Sequence, residues 1–194
     1  MPPRRARLGI LISGRGSNMK ALIEASQAAD CPYEVSLVAS NNPDAPGLEE
    51  AAAAGIATFA QSHRGLPRED FDALVDGALR AAGVEWVALA GYMRLLSPGF
   101  IEDWRGRIVN IHPSLLPAYK GLDTHARALA AGEKLHGCTV HIVTPELDDG
   151  PIVAQAEVPV LDGDTPATLA DRVLIEEHRL YPEALSALIL KANG

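Results

Sequence analysis

Leu8-Gly-Ile-Leu-Ile-Ser is a near-continuous apolar run, followed at once by Gly14-Arg-Gly-Ser-Asn-Met and a helical pattern through Met19-Lys-Ala-Leu-Ile-Glu-Ala. A strand without polar alternation belongs in a sheet covered on both faces, and that is the usual state of parallel sheets. The unit recurs down the chain. Tyr33 to Ser40 reads as a second strand, ending in the turn-rich Asn41-Asn-Pro-Asp-Ala-Pro-Gly, and Gly47 to Ala54 as an alanine-rich helix stopped by Gly55. Ile56 to Ala60 is a third strand and Val84 to Gly91 a fourth. Between them, Leu66 to Ala82 is an amphipathic helix with Phe71, Leu74, Val75 and Leu79 as its core stripe. The alternation predicts a mostly parallel sheet with helices on both faces.

The second half changes rhythm. Pro98 to Trp104 reads as a short helix, Arg107 to His112 as a strand stopped by Pro113, and Leu122 to Ala131 as a helix after a long loop. Gly137 to Thr144 alternates, with Thr139, His141 and Val143 on one face, and Ile152 to Val158 returns from the acidic loop Pro145-Glu-Leu-Asp-Asp-Gly-Pro. Such a pair implies an antiparallel extension, so the fold class is a Rossmann-like α/β sheet with a C-terminal antiparallel addition. Thr165 caps a last helix with Pro166 at its first position, running towards Lys191. With no repeats, low-complexity tracts or linkers, residues 1–194 read as a single domain.

Composition excludes more than it suggests. A net charge of -8 argues against a nucleic-acid partner, though local N–H groups can still bind an anion on an acidic protein. The one basic run, Arg4-Arg5-Ala6-Arg7, reads as a solvated tail before the first strand. Cys31 and Cys138 lie far apart and indicate neither a disulfide framework nor a zinc site, and no His/Cys/Asp spacing suggests a metal. No secretory segment and no run approaching the ~20 apolar residues of a membrane span is present, so the chain reads as cytoplasmic, with no membrane partner.

Three stretches carry chemistry. Asn110 and His112 sit two apart on a strand, so an amide and an imidazole project from one face where the strand leaves its sheet. Ligands of open α/β sheets bind at such ends, although a buried, backbone-paired Asn and His would look the same. An amide can donate to a developing oxyanion and an imidazole can deliver a proton to a leaving group, with Asp148 or Asp149 as its partner if the fold brings them close. No serine elbow or catalytic-type cysteine appears, which favours direct transfer to a substrate nucleophile. Second, strand, glycine loop and helix start form a phosphate cradle, or else a plain tight turn, and Ser17 or Asn18 can cap the helix. The loop lacks the third glycine of GxGxxG and the GK[ST] of a P-loop, so a phosphate monoester fits best. Third, Gly91-Tyr-Met-Arg-Leu-Leu-Ser is either a packed connector or the wall of a flat, largely apolar pocket. His63, His136 and His178 read as structural, His125 as a cap or ligand contact, and His141 as sharing a face with Thr139 that can turn toward the site.

Ser13-Gly-Arg-Gly-Ser-Asn, Leu89-Ala-Gly-Tyr-Met-Arg-Leu-Leu-Ser, Asn110-Ile-His-Pro-Ser-Leu-Leu-Pro and Glu146-Leu-Asp-Asp-Gly-Pro occur in the order and spacing of a known family. Over nearly its whole length the chain resembles the phosphoribosylglycinamide formyltransferases, folate-dependent enzymes of purine synthesis. The resemblance implies that the amine of 5-phosphoribosylglycinamide attacks the formyl carbon of 10-formyltetrahydrofolate, the co-substrate. It implies Asn110, His112 and Asp148 as the catalytic group: oxyanion stabiliser, proton shuttle, and holder of the imidazole and an ordered water. Gly16, Ser17, Asn18 and Glu177 match the ribonucleotide site. Met93, Arg94, Leu95 and Leu96, with Asn110, the loop Thr144, Pro145, Glu146, Leu147 and Asp148, and Arg68, match the folate pocket. Two departures stand out: Asp123 where the family often has His, and Asp148-Asp149-Gly150 where Asp-Gly-Gly is common. A monomer or homodimer is expected. The Asn-x-His motif is shared with formyltetrahydrofolate deformylases and methionyl-tRNA formyltransferases, so a hydrolase is the nearest alternative. A non-catalytic folate or phosphosugar binder is another.

Overall fold

The computed structural model of the chain describes residues 4–194. In order it has β1 (Ala6–Ile12), α1 (Ser17–Ser26), β2 (Tyr33–Ser40), α2 (Pro46–Ala53), β3 (Thr58–Ala60), α3 (Arg68–Ala81), β4 (Trp86–Leu89), α4 (Pro98–Asp103), β5 (Ile108–His112), α5 (Thr124–Ala130), β6 (Leu135–Ile142), β7 (Ile152–Pro159) and α6 (Pro166–Asn193). The strands form one sheet in the order β3-β2-β1-β4-β5-β6-β7. β1 to β5 pair in parallel, while β6 and β7 join antiparallel, as the change of rhythm in the sequence predicted.

β1 shows why its run is apolar throughout. Leu8, Ile10 and Ile12 enter a core shared with Met19 and Leu22 of α1 and Leu169, Val173 and Leu185 of α6. Leu11 enters the opposite core, with Phe71, Val75 and Leu79 of α3 and Phe100 and Ile101 of α4. β5 divides the same way: Val109 and Ile111 go to the α1/α6 core and Ile108 to the α3/α4 core. Asn110 and His112, in phase with Ile108, therefore share the α3/α4 side of the sheet. Tyr181 of α6 ties the parallel strands together, its buried hydroxyl lying 2.8 Å from the Leu89 carbonyl and 3.0 Å from that of Val109. Its one proton serves two acceptors, one on β4 and one on β5. Tyr181→Phe is expected to cost about 1–2 kcal/mol in urea unfolding, with the fold retained.

Several sequence expectations change. The Arg4–Arg7 run is no solvated tail: β1 begins at Ala6, Arg5 donates to the carbonyls of Ser26, Ala28 and Cys31, and Arg4 pairs with Glu85. Leu74 lies on the exposed side of α3, and Asp72 takes a place on its buried face because its carboxyl accepts the Ser97 N–H at 2.6 Å. Neither Ser17 nor Asn18 caps α1. Gly16 does, in the left-handed conformation (φ 66°) that glycine adopts without strain. β4 is shorter than the apolar run Val84 to Gly91, and β6 begins two residues earlier than the alternation suggested.

Candidate active site

At the end of β5 the imidazole of His112 is buried between two partners. Its Nε2 lies 2.8 Å from the Tyr119 carbonyl, which can only accept, so Nε2 carries a proton. Its Nδ1 lies 3.5 Å from Asp148 Oδ2. That carboxylate oxygen also accepts the Gly121 N–H at 2.9 Å, so one acid anchors both the histidine and the far end of the loop after β5. The fold thus joins two residues far apart in sequence. The same loop is held from below: Thr139 donates to the Ser114 carbonyl and accepts the Leu116 N–H, and Thr124 donates to the Pro113 carbonyl.

Asn110 is oriented by a residue the sequence ranked below His112. His141 lies opposite Asn110 in the β5–β6 ladder. Burial lowers the pKa of its imidazole and outweighs the raising effects of the Ile142 carbonyl and Asp148, so the ring is neutral. Nδ1 is 3.2 Å from the Ile142 carbonyl and therefore holds the proton, which leaves Nε2 as an acceptor 3.2 Å from Asn110 Nδ2. One amide hydrogen of Asn110 is spent there; the other is free to donate.

The glycine loop runs from β1 into α1. Because no side chain caps α1, its first-turn N–H groups are left for an anion. Asn18 instead turns to α6, where its Nδ2 donates to Glu177 Oε1 at 3.3 Å. Burial pushes the Glu177 carboxyl up to about 7, against the lowering effect of Asn18. A carboxyl raised in the folded state stabilises fully below its ordinary value near 4.5, and that stability drains away as pH climbs to about 7. The loss is on the order of 3 kcal/mol. Glu177→Gln is expected to flatten the urea-measured stability between pH 5 and about 8, and an unchanged slope would refute the shift.

Beside Asn110 a cavity of about 270 Å³ opens against β4, β5 and the loop before β7. It takes in every residue matched to the folate pocket, Arg68 included, except Met93. Met93 is 72 % exposed, and its backbone N–H donates to Ser13 Oγ at 2.8 Å. That bond sets the glycine loop beside the segment 91–97. The 91–97 segment expected as a wall supplies Tyr92, whereas sequence reasoning missed Leu89, Pro98, Ile101 and Val143 as lining and did not commit to His141. The Thr139-x-His141 alternation was the available signal for the histidine. The walls are mainly apolar with a few polar groups, which suits a flat ring system.

His63, His125 and His136 bond within the fold, whereas His178 Nε2 is buried without a partner among the described residues. His63 Nδ1 is 3.2 Å from Asn41, and His125, inside α5 and not its cap, meets His136 at 3.1 Å. Burial lowers both, His136 to about 4. Asp123 occupies the N-cap of α5 in a left-handed conformation, and its side chain makes no capping hydrogen bond. Among the described residues no helix is long and apolar enough to cross a membrane, and no cluster of His, Cys, Asp or Glu could hold a metal.

A family model described as "Formyl transferase" matches residues 6–185. A crystal structure of phosphoribosylglycinamide formyltransferase from Brucella melitensis superposes with a TM-score of 0.92 at 55 % identity, covering 96 % of each chain. The phosphoribosylglycinamide formyltransferase of Escherichia coli (strain K12) is 46 % identical over 178 residues, 91 % of this chain and 84 % of that protein. The "Trifunctional purine biosynthetic protein adenosine-3" of Drosophila melanogaster is 48 % identical over 96 % of this chain, which spans only 14 % of that protein's length.

Proposed function

The chain belongs to the formyl transferase family, and from that premise we propose that it moves a formyl group from 10-formyltetrahydrofolate to the amine of 5-phosphoribosylglycinamide. The grouping of Asn110, His112 and Asp148 carries the reading, two side chains from one strand end and a third brought to them by a loop 3.5 Å away. The glycine loop holds the phosphate on the free N–H groups of Gly16, Ser17 and Asn18, and Glu177 faces the ribonucleotide. The 270 Å³ cavity holds the flat head of the folate. Bound there, the folate supplies an activated formyl carbon.

The protein's own residues do the rest. Asn110, with one hydrogen fixed on His141, donates the other to the developing oxyanion, an effect of roughly 2.7–4 kcal/mol where single donors have been removed from comparable sites. The Nε2 proton of His112 goes to the departing nitrogen, and the emptied Nε2 then takes the proton that the attacking amine sheds. For that, its Nε2–H must leave the Tyr119 carbonyl, so the loop after β5 opens or the ring turns during turnover. Asp148 holds Nδ1 while it does so. The test is formyl loss from a 10-formyl folate analogue with and without the ribonucleotide. Ribonucleotide-dependent transfer is expected; equal loss without it would mean a hydrolase, and tight folate binding without turnover would mean a binding protein.

A further inference from the structure

Among the described residues five buried side-chain polar atoms find no hydrogen-bond partner, and three of them lie on Asp72 and on the segment it holds, one corner of the fold: Asp72 Oδ1, Tyr92 Oη and Arg94 Nε. The corner is chemically lopsided in a useful way, one acceptor against two donors. Asp72, on α3, is 2 % exposed. Its other oxygen is committed, accepting the Ser97 N–H at 2.6 Å, and Ser97 in turn caps α4 through a 3.3 Å bond from the Phe100 N–H. Tyr92 and Arg94 lie on the segment that Ser97 closes, and both line the cavity, as do Leu95 and Leu96. The electrostatics agree with the placement: beyond burial, the Asp72 carboxylate raises the Tyr92 hydroxyl while the Arg94 guanidinium lowers it. Arg94 also stacks over Phe71, the neighbour of Asp72 on α3, 5.0 Å from the ring centroid. Buried polar groups left unpaired are costly, so an unmet acceptor on α3 and two unmet donors on the segment it holds favour arrangements that bring them together.

We propose that Asp72 is a positioning residue for the cavity, holding Ser97 with one oxygen and setting the orientation of Tyr92 and Arg94 with the other. It touches no substrate. Its action on the ligand passes through the 92–96 backbone and the two side chains, as support behind a binding wall commonly does. The inference rests on the reading of the cavity as the folate site, and its test includes a measurement that does not.

Asp72→Asn separates anchoring from orientation, because the amide keeps an oxygen for Ser97 but offers Tyr92 and Arg94 an NH₂ in place of an acceptor. Two quantities are read on the whole protein: the Kd of a non-transferable deazafolate analogue, and amide hydrogen exchange without ligand. The expected result is a Kd raised about tenfold, ribonucleotide affinity within about twofold of wild type, and exchange at residues 92–96 accelerated several-fold with Ser97 still protected. Tyr92→Phe, which leaves the Ser97 anchor intact, should raise the same Kd less than Asp72→Asn and add nothing to it in the double variant. Wild-type Kd with wild-type exchange in Asp72→Asn overturns the inference, and so do fully additive effects. A wild-type protein that binds no folate analogue overturns the functional reading instead, and exchange at 92–96 then decides alone whether Asp72 orders the segment.

Discussion

His112→Ala is expected to lower kcat about a thousandfold, within the usual range for a lost acid/base group, while both substrates still bind within a few-fold of wild type. The asymmetry follows from where the side chain sits. The imidazole is 6 % exposed, its two nitrogens are taken by Tyr119 and Asp148, and it is not among the residues lining the cavity. Removing it takes away the proton carrier without removing a wall. The Tyr119 carbonyl then keeps only a shared donor, since the single Ser114 Oγ–H lies 3.2 Å from it and 2.6 Å from the Ala118 carbonyl. Steady-state kinetics with both substrates varied would check the split. A kcat within about tenfold of wild type would remove His112 from the reaction and leave Asn110 as the main contributor.

The difference between what the sequence displayed and what it concealed follows backbone against side chain, and strand against loop. Asn110 and His112 were legible because a strand has a period of two and Pro113 marks where it stops. The parallel sheet was legible for the same kind of reason: runs such as that of β1, with no polar alternation, have few other folds open to them. The extra antiparallel pair showed as alternation in β6. What the residues could not display were partners supplied by the main chain. The Tyr119 carbonyl on His112 Nε2 has no letter of its own, and neither does the Ile142 carbonyl that fixes the tautomer of His141. Nor could a helical wheel place Asp72, whose burial depends on an N–H twenty-five residues away in sequence. Asp148 was named by motif, but its 3.5 Å approach to His112 depends on the course of the whole loop. Arg5 was misread because its partners are main-chain carbonyls at the end of α1 and in the loop after it, invisible to charge counting.

Gly150→Ala should do the largest damage to folding of any single change at this site. A Cβ at residue 150 would stand 1.7 Å from the Ile142 carbonyl oxygen and 2.9 Å from its carbon. Both are backbone atoms, so no rotamer change can make room. Ile142 cannot yield easily, because it is paired with Val109 in the sheet and its N–H donates to the Pro151 carbonyl at 2.9 Å. The expected cost exceeds about 4 kcal/mol, the range in which substitutions leave a chain largely unfolded. The chemistry would suffer even in protein that folds. Ile142 O receives the Nδ1–H of His141, so moving it frees the ring that orients Asn110, and Asp148 lies two residues before the altered position. Gly77→Ala supplies the contrast: it sits inside α3 with open space where its methyl would go, and should gain about 0.5–1 kcal/mol. Urea unfolding of the two variants beside wild type tests the pair. A Gly150→Ala protein as stable as wild type would mean that the loop carrying Asp148 can be rebuilt freely, and the fixed approach of Asp148 to His112 could then no longer be attributed to this turn.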